Sequence, residues 1–216
     1  MRKLTGEKLE AELARLEGMR AYEHQYESAG IVCGIDEAGR GPLAGPVVAA
    51  VAVLPKDCTI LRLNDSKKLS EKCREELFLE IKEKAAAYGI GIVSPEVIDS
   101  INILQATYEA MRQAVAQLPQ EPDIFLNDAV IIPGISEEKQ IKIIKGDAKS
   151  VSIAAASIVA KVTRDRMMEQ YEEVFPGYGF ARNKGYGSKE HIEALQTMGP
   201  TAIHRRSFIG HFVKEG

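Results

Sequence analysis

Short apolar runs alternating with amphipathic ones constrain this chain more than any other feature. Residues 31–36, 47–54, 88–93, 124–127 and 141–145 are runs of four to eight residues rich in Val, Ile and Ala, as buried β-strands require. Between them the apolar period changes. Leu9, Leu13, Leu16 and Met19 recur at helical intervals within 7–27, with Gly30 as the stop. Ser70 caps a helix over 71–86. Leu104, Tyr108, Met111 and Val115 mark a helix over 103–118. Val151, Ala154, Ala155, Ile158 and Val162 form one face of a long helix reaching about Tyr171. The last stretch is irregular apart from a helix over 189–197. The expected class is α/β, a central sheet of about five strands covered by helices on both faces.

A chain of 216 residues, 45% of them hydrophobic, can bury one substantial core. The segment 175–180, which contains Pro176, Gly177 and Gly179, is the best boundary between that body and a small C-terminal appendage. The N-terminus lacks a signal-like apolar segment, and the apolar run 42–55 is too short for a membrane span and contains Gly45 and Pro46. A soluble, cytoplasmic protein without membrane contact is expected. Cys33, Cys58 and Cys73 form no CxxC pair and are expected to be reduced and structural. The net charge of −3 argues against a nucleic-acid binder, but its distribution argues the other way. Residues 141–216 hold 12 Lys and Arg against 8 Asp and Glu, leaving 16 against 23 for residues 1–140.

Acids close three of the apolar runs. Asp36 and Glu37 follow Ile35, where the chain turns through Gly39, Arg40 and Gly41; Asp128 follows the run from Ile124; Asp147 follows Ile143 and opens the long helix. Ligands of open α/β sheets gather at the carboxyl ends of strands. Three of the four acids also have an ordinary alternative: a turn cap for Asp36, a solvent-facing group for Glu37, a helix N-cap for Asp147. Strand neighbours alternate faces, so one site can use both Asp36 and Glu37 only if the strand breaks its pleat there. Four acids without cysteine or histidine nearby favour Mg²⁺ or Mn²⁺ over zinc, and oxygen-only two-metal sites suit phosphodiester cleavage.

The stretch Gly34-Ile35-Asp36-Glu37-Ala38-Gly39-Arg40-Gly41-Pro42-Leu43-Ala44-Gly45-Pro46 resembles the opening motif of bacterial ribonuclease HII. Further segments agree in order: Asp65-Ser66-Lys67-Lys68-Leu69, 101–107, Lys145-Gly146-Asp147, 155–165 and His204-Arg205-Arg206-Ser207-Phe208. The resemblance covers about residues 31–210. It implies a ribonuclease H-like catalytic domain over 31–175, between an N-terminal helical extension (1–30) and a C-terminal segment (176–216) that takes part in substrate binding.

It further implies endonucleolytic cleavage of the RNA strand of RNA–DNA hybrids, and cleavage 5′ to ribonucleotides embedded in duplex DNA. The products carry a 3′-hydroxyl and a 5′-phosphate, and the activity serves ribonucleotide removal in replication and repair. By motif match Asp36, Glu37, Asp128 and Asp147 are the metal-binding catalytic carboxylates, with Asp123 as the fallback for Asp128. Gly39, Arg40, Gly41 and Tyr186 are the expected readers of the ribose. Lys184, Lys67 and Lys68 are expected at the substrate, with Lys189, Arg205 and Arg206 as further candidates for phosphate contact. A monomer is expected. Ribonuclease HIII is the rival family; it lacks the Gly-Arg-Gly turn and carries a larger N-terminal domain.

Overall fold

A computed structural model of the chain describes residues 4–213; the outermost residues of the two flanking segments, 1–3 and 214–216, lie outside that range. In chain order the elements are α1 (Glu7–Met19), α2 (Ala21–Tyr26), β1 (Val32–Ala38), β2 (Val47–Val53), α3 (Glu71–Lys84), β3 (Ala87–Val93) and α4 (Pro95–Ile101). They continue with α5 (Ile103–Val115), β4 (Ile124–Asp128), β5 (Gln140–Ile143), α6 (Val151–Val174), α7 (Phe180–Asn183), α8 (Lys189–Met198) and α9 (Arg206–Ile209). The strands form one mixed sheet in the order β3-β2-β1-β4-β5. β1 pairs antiparallel with β2 and parallel with β4; β2–β3 is antiparallel and β4–β5 parallel. This is the expected α/β architecture, a five-stranded sheet with flanking helices, and the sheet is mixed.

Strand alternation sends side chains to two cores. Val48, Ala50 and Ala52 of β2 pack with Leu16 and Met19 of α1, Leu77 and Ile81 of α3, and the apolar face of α6. Cys33, Ile35, Ala49 and Val51 pack on the other face against Ile98 of α4 and Ala106, Ala110 and Met111 of α5. The small residues of β1 and α6 let the two backbones come together. A Cβ on Gly34 would lie 2.1 Å from the backbone carbon of Ser152. Gly34→Ala is therefore expected to push α6 off the sheet. The overpacking costs roughly 3 kcal/mol, a Tm loss of about 6–12 °C in thermal denaturation.

Several boundaries differ from the sequence pattern, each for a physical reason. The helix expected over 7–27 divides at Arg20, whose guanidinium donates to the carbonyls of Lys56 and Cys58. α1 can then serve the α6-side core while Tyr22 and Tyr26 of α2 pack around Ile124 and Ile153. The short α4 escaped the periodicity, although Ser94 caps it and Pro95 occupies its first turn. β1 does not break at its acids. The ladder to β2 continues through Asp36↔Ala50, Glu37↔Ala49 and Ala38↔Val48. Asp147 is not the cap of α6 either: Ser150 is, its Oγ accepting from the Ile153 N–H at 3.1 Å. Among the described residues no helix is long and apolar enough to cross a membrane.

Candidate active site

Three aspartates converge because of strand register. β4 runs beside β1 with Gly34↔Leu126 and Ile35↔Asn127 paired, so Asp36 and Asp128 come level at the end of the ladder on the α6 side. β5 then stops at Ile143, and Lys145 takes a left-handed conformation (φ 57°). That reversal lets Gly146 N–H donate to Asp128 Oδ1 at 2.7 Å and places Asp147, in the 3-10 turn Gly146–Ala148, against the pair. One carboxylate oxygen from each of Asp36, Asp128 and Asp147 lies within 4.8 Å of the others. Asp123 stands at the opposite end of β4, where it accepts from Ile31 N–H at 2.8 Å.

Glu37 joins from the other face. Its partner Ala49 belongs to the α5-side core whereas Ala50, opposite Asp36, belongs to the α6-side core. The strand stays regular, and Glu37 is not one of the three acids whose oxygens gather within 4.8 Å; it lies beside them at the strand's end, close enough for its charge to act on Asp36. Asp128's charge acts on Glu37. Glu37 Oε1 faces Arg40 Nη1 at 3.4 Å, while its Oε2 is buried without a hydrogen-bond partner.

These acids repel one another. Burial, then the charge of Glu37, holds Asp36 well above the ordinary 3.8; a hydrogen bond from Ser157 opposes the shift. Burial also raises Glu37. Burial, then the charge of Asp65 and that of Asp128, raises Asp147. Asp65 was not among the expected site residues. Its charge favours the protonated form of Asp147, and it accepts from the Lys67 N–H at 2.9 Å. The signal available in the sequence was the acid heading the run that supplies Lys67 and Lys68. Lys67 is close enough for its charge to favour ionised Glu37 and Asp147; Lys68 is exposed on the same turn.

The folded, metal-free protein thus holds protons that the unfolded chain would release. Its stability from this cluster is complete below the ordinary carboxylate values and is lost as pH rises through the raised folded ones. Denaturation in chelator is expected to show stability falling across that window, and a divalent cation should abolish the fall.

The turn after β1 is held from beneath by two buried guanidinium groups. Arg205, 0% exposed, donates to the carbonyls of Gly39 (2.5 Å), Arg40 (2.9 Å) and Gly45 (3.0 Å). Arg164 donates to those of Ala44, Pro46 and Lys184. Burial lowers Arg164 to about 10 and Arg205 to about 9, so both stay charged at neutral pH. Gly39 (φ 94°) is required here, since a Cβ would lie 2.1 Å from Arg164 Nε. With the carbonyls drawn inward, the N–H groups of Arg40 and Gly41 meet no backbone acceptor among the described residues.

Arg205 is therefore not a phosphate contact, which corrects the expectation for it. Tyr186 stands over the same turn, 48% exposed, its Cε1 3.8 Å from where a Gly41 Cβ would be. Lys184 is half-committed: its ammonium pairs with Glu169 at 2.5 Å and lies 3.9 Å from Glu71. Lys189 and Arg206 are exposed.

A model of the ribonuclease HII family matches residues 33–211. The ribonuclease HII of Lachnoclostridium phytofermentans is 63% identical over 203 residues, covering 94% of this chain and 80% of that protein. That of Bacillus subtilis is 55% identical over 192 residues, covering 88% and 74%. The crystal structure of ribonuclease H2 from Pyrococcus horikoshii superposes with a TM-score of 0.65 at 29% identity, covering 82% of this chain and 93% of that one.

Proposed function

The chain belongs to the ribonuclease HII family, a metal-dependent ribonuclease H acting on RNA–DNA hybrids, and on that premise we propose that it also cuts 5′ to single ribonucleotides embedded in duplex DNA. The observation that carries this reading is a juxtaposition. One strand delivers Asp36 to the acid cluster and, three residues on, Gly39 to a turn whose Arg40 and Gly41 N–H groups meet no backbone acceptor among the described residues.

Asp36, Glu37, Asp128 and Asp147 are the groups that hold the metal. The donor set is all oxygen, the acids repel one another unless neutralised, and Glu37 Oε2 is a buried acceptor without a donor. These features fit hard divalent cations, Mg²⁺ or Mn²⁺. A bound pair of such ions supplies an activated water and stabilises charge on the leaving 3′-oxygen. The protein's own part is placement. Lys67 lies where it can meet a phosphate beside Glu37 and Asp147. The N–H groups of the 39–41 turn can take the phosphate or 2′-hydroxyl of the ribonucleotide, and Tyr186 bounds the ribose from the far side. Ribonucleotide removal during replication and repair is the role that follows, carried out by a monomer.

The test is product analysis on a DNA duplex with one ribonucleotide, in Mg²⁺ or Mn²⁺. The expected cut is 5′ to the ribonucleotide, leaving a 3′-hydroxyl and a 5′-phosphate. Cutting restricted to continuous hybrids would overturn the reading, as would undiminished cutting in chelator.

A further inference from the structure

Two histidines that play no part in the site described above are buried in the C-terminal segment, His191 at 0% and His204 at 2% exposure. Their Nε2 atoms lie 3.0 Å apart. The rings sit among Tyr178 and Phe180, with centroids 5.1 Å (Tyr178 to His204) and 5.3 Å (Phe180 to His191) apart. A histidine pair in such surroundings is a packing element unless its hydrogen bonds lead somewhere, and these lead to Tyr186.

The proton positions follow from the two ends of the chain. A backbone N–H can only donate, so the Thr201 N–H at 2.9 Å makes His204 Nδ1 an acceptor. The neutral ring then carries its proton on Nε2 and donates to His191 Nε2. His191 in turn carries its proton on Nδ1 and donates to the Tyr186 carbonyl at 2.9 Å. A carbonyl can only accept, so the far end demands the same tautomers. Burial lowers both rings, His204 to about 4, which keeps the pair neutral. Arg206 reinforces this for His204, and no carboxylate is among the groups acting on either ring.

We infer that His191 and His204 form a relay of fixed tautomers that positions Tyr186 over the 39–41 turn. Both histidines are thus positioning residues for ribose recognition, an inference that rests on the reading of Tyr186 given above. The relay completes a set of anchors. Lys184 O accepts from Arg164, Gly185 O from the Leu43 N–H, and Tyr186 O from His191 and the Ser188 N–H. The relay's other end rests on the Thr201 N–H, and the backbone on either side of His204 pairs with the loop that continues the turn, Arg205 N–H donating to Leu43 O and Gly45 N–H to Ile203 O. The half-exposed ring therefore stands on backbone tied through the relay to the loop it must face.

The deciding comparison uses His191→Asn and His191→Gln in the full-length, metal-loaded enzyme. The Asn amide nitrogen occupies the place of Nδ1 and keeps the donor to Tyr186 O; the longer Gln places its amide at Nε2 and loses it. On a duplex with one ribonucleotide, His191→Gln is expected to lower kcat/KM by roughly 10- to 100-fold, and His191→Asn to recover most of it. Equal behaviour, or Gln above Asn as side-chain volume alone predicts, would overturn the relay. Independently of any variant, imidazole ¹⁵N spectra of the wild type should show His204 protonated on Nε2 and His191 on Nδ1. Other tautomers would overturn it too. Tyr186→Ala separates the two claims. Lost ribose discrimination there with His191→Gln unaffected removes the relay alone, whereas unchanged discrimination removes the tyrosine's role and the relay's purpose with it.

Discussion

Asp36→Asn is expected to lower kcat/KM for the ribonucleotide-containing duplex by about 10³-fold or more while raising the thermal stability of the metal-free protein. The two effects have one origin. Asp36 is buried at 6% exposure with Asp128 and Asp147 oxygens within 4.8 Å and Glu37 next to it in sequence. A carboxylate there is costly to ionise without a cation, and that same concentration of negative oxygen makes the place attractive to one. Replacing it with an amide removes the repulsion and a metal ligand together. A lost ligand in a site where metal supplies several kcal/mol of transition-state stabilisation gives the expected rate loss. Melting curves with and without Mg²⁺ check the second half. The wild type should gain Tm on adding metal, and the variant should start higher and gain less. A variant that is less stable than wild type in chelator would mean that Asp36 is held by its hydrogen bonds with Glu37 N–H and Ser157, not strained by its neighbours.

Arg205→Met is expected to be the most damaging substitution away from the acids. It removes three donors from the carbonyls of Gly39, Arg40 and Gly45, of which the bonds to Gly39 and Gly45 are buried. Each buried acceptor left unsatisfied costs about 1–3 kcal/mol, so a loss of roughly 3–5 kcal/mol in urea denaturation is expected. Activity should fall further than the unfolded fraction explains, because the 39–41 turn loses the donors that hold its carbonyls in place. Arg205→Lys, which keeps charge but cannot reach three carbonyls from one planar fork, should behave much more like Arg205→Met than like wild type.

The sheet and most helices could be read from the chain because each run is bounded locally: apolar residues set the strands, and Ser70 and Gly30 sit where a cap and a stop are needed. The acids were harder. Asp147 looked as much like a helix cap as a ligand, and only the three-dimensional assignment of that duty to Ser150 frees it. Asp36 and Glu37 suggested a broken strand, because alternation forbids adjacent side chains one face; the chain instead uses the end of an intact strand, where two faces meet. The roles of Arg164 and Arg205 were out of reach. Their acceptors lie as far as 120 and 166 residues away in sequence, and a buried guanidinium has the same letter as one on the surface. The His191–His204 relay was hidden for the same reason, since neither histidine sits in a local pattern.

The claim that the acids cut and the neighbouring turn chooses where is tested most directly by kcat/KM on two duplexes that differ by one 2′-hydroxyl. A site built to hydrogen-bond that hydroxyl rejects the analogue lacking it by roughly 10⁴–10⁵. For the wild type a ratio of that order is expected, with cutting confined to the 5′ side of the ribonucleotide. A ratio near unity, with cuts scattered along the all-DNA duplex, would contradict it.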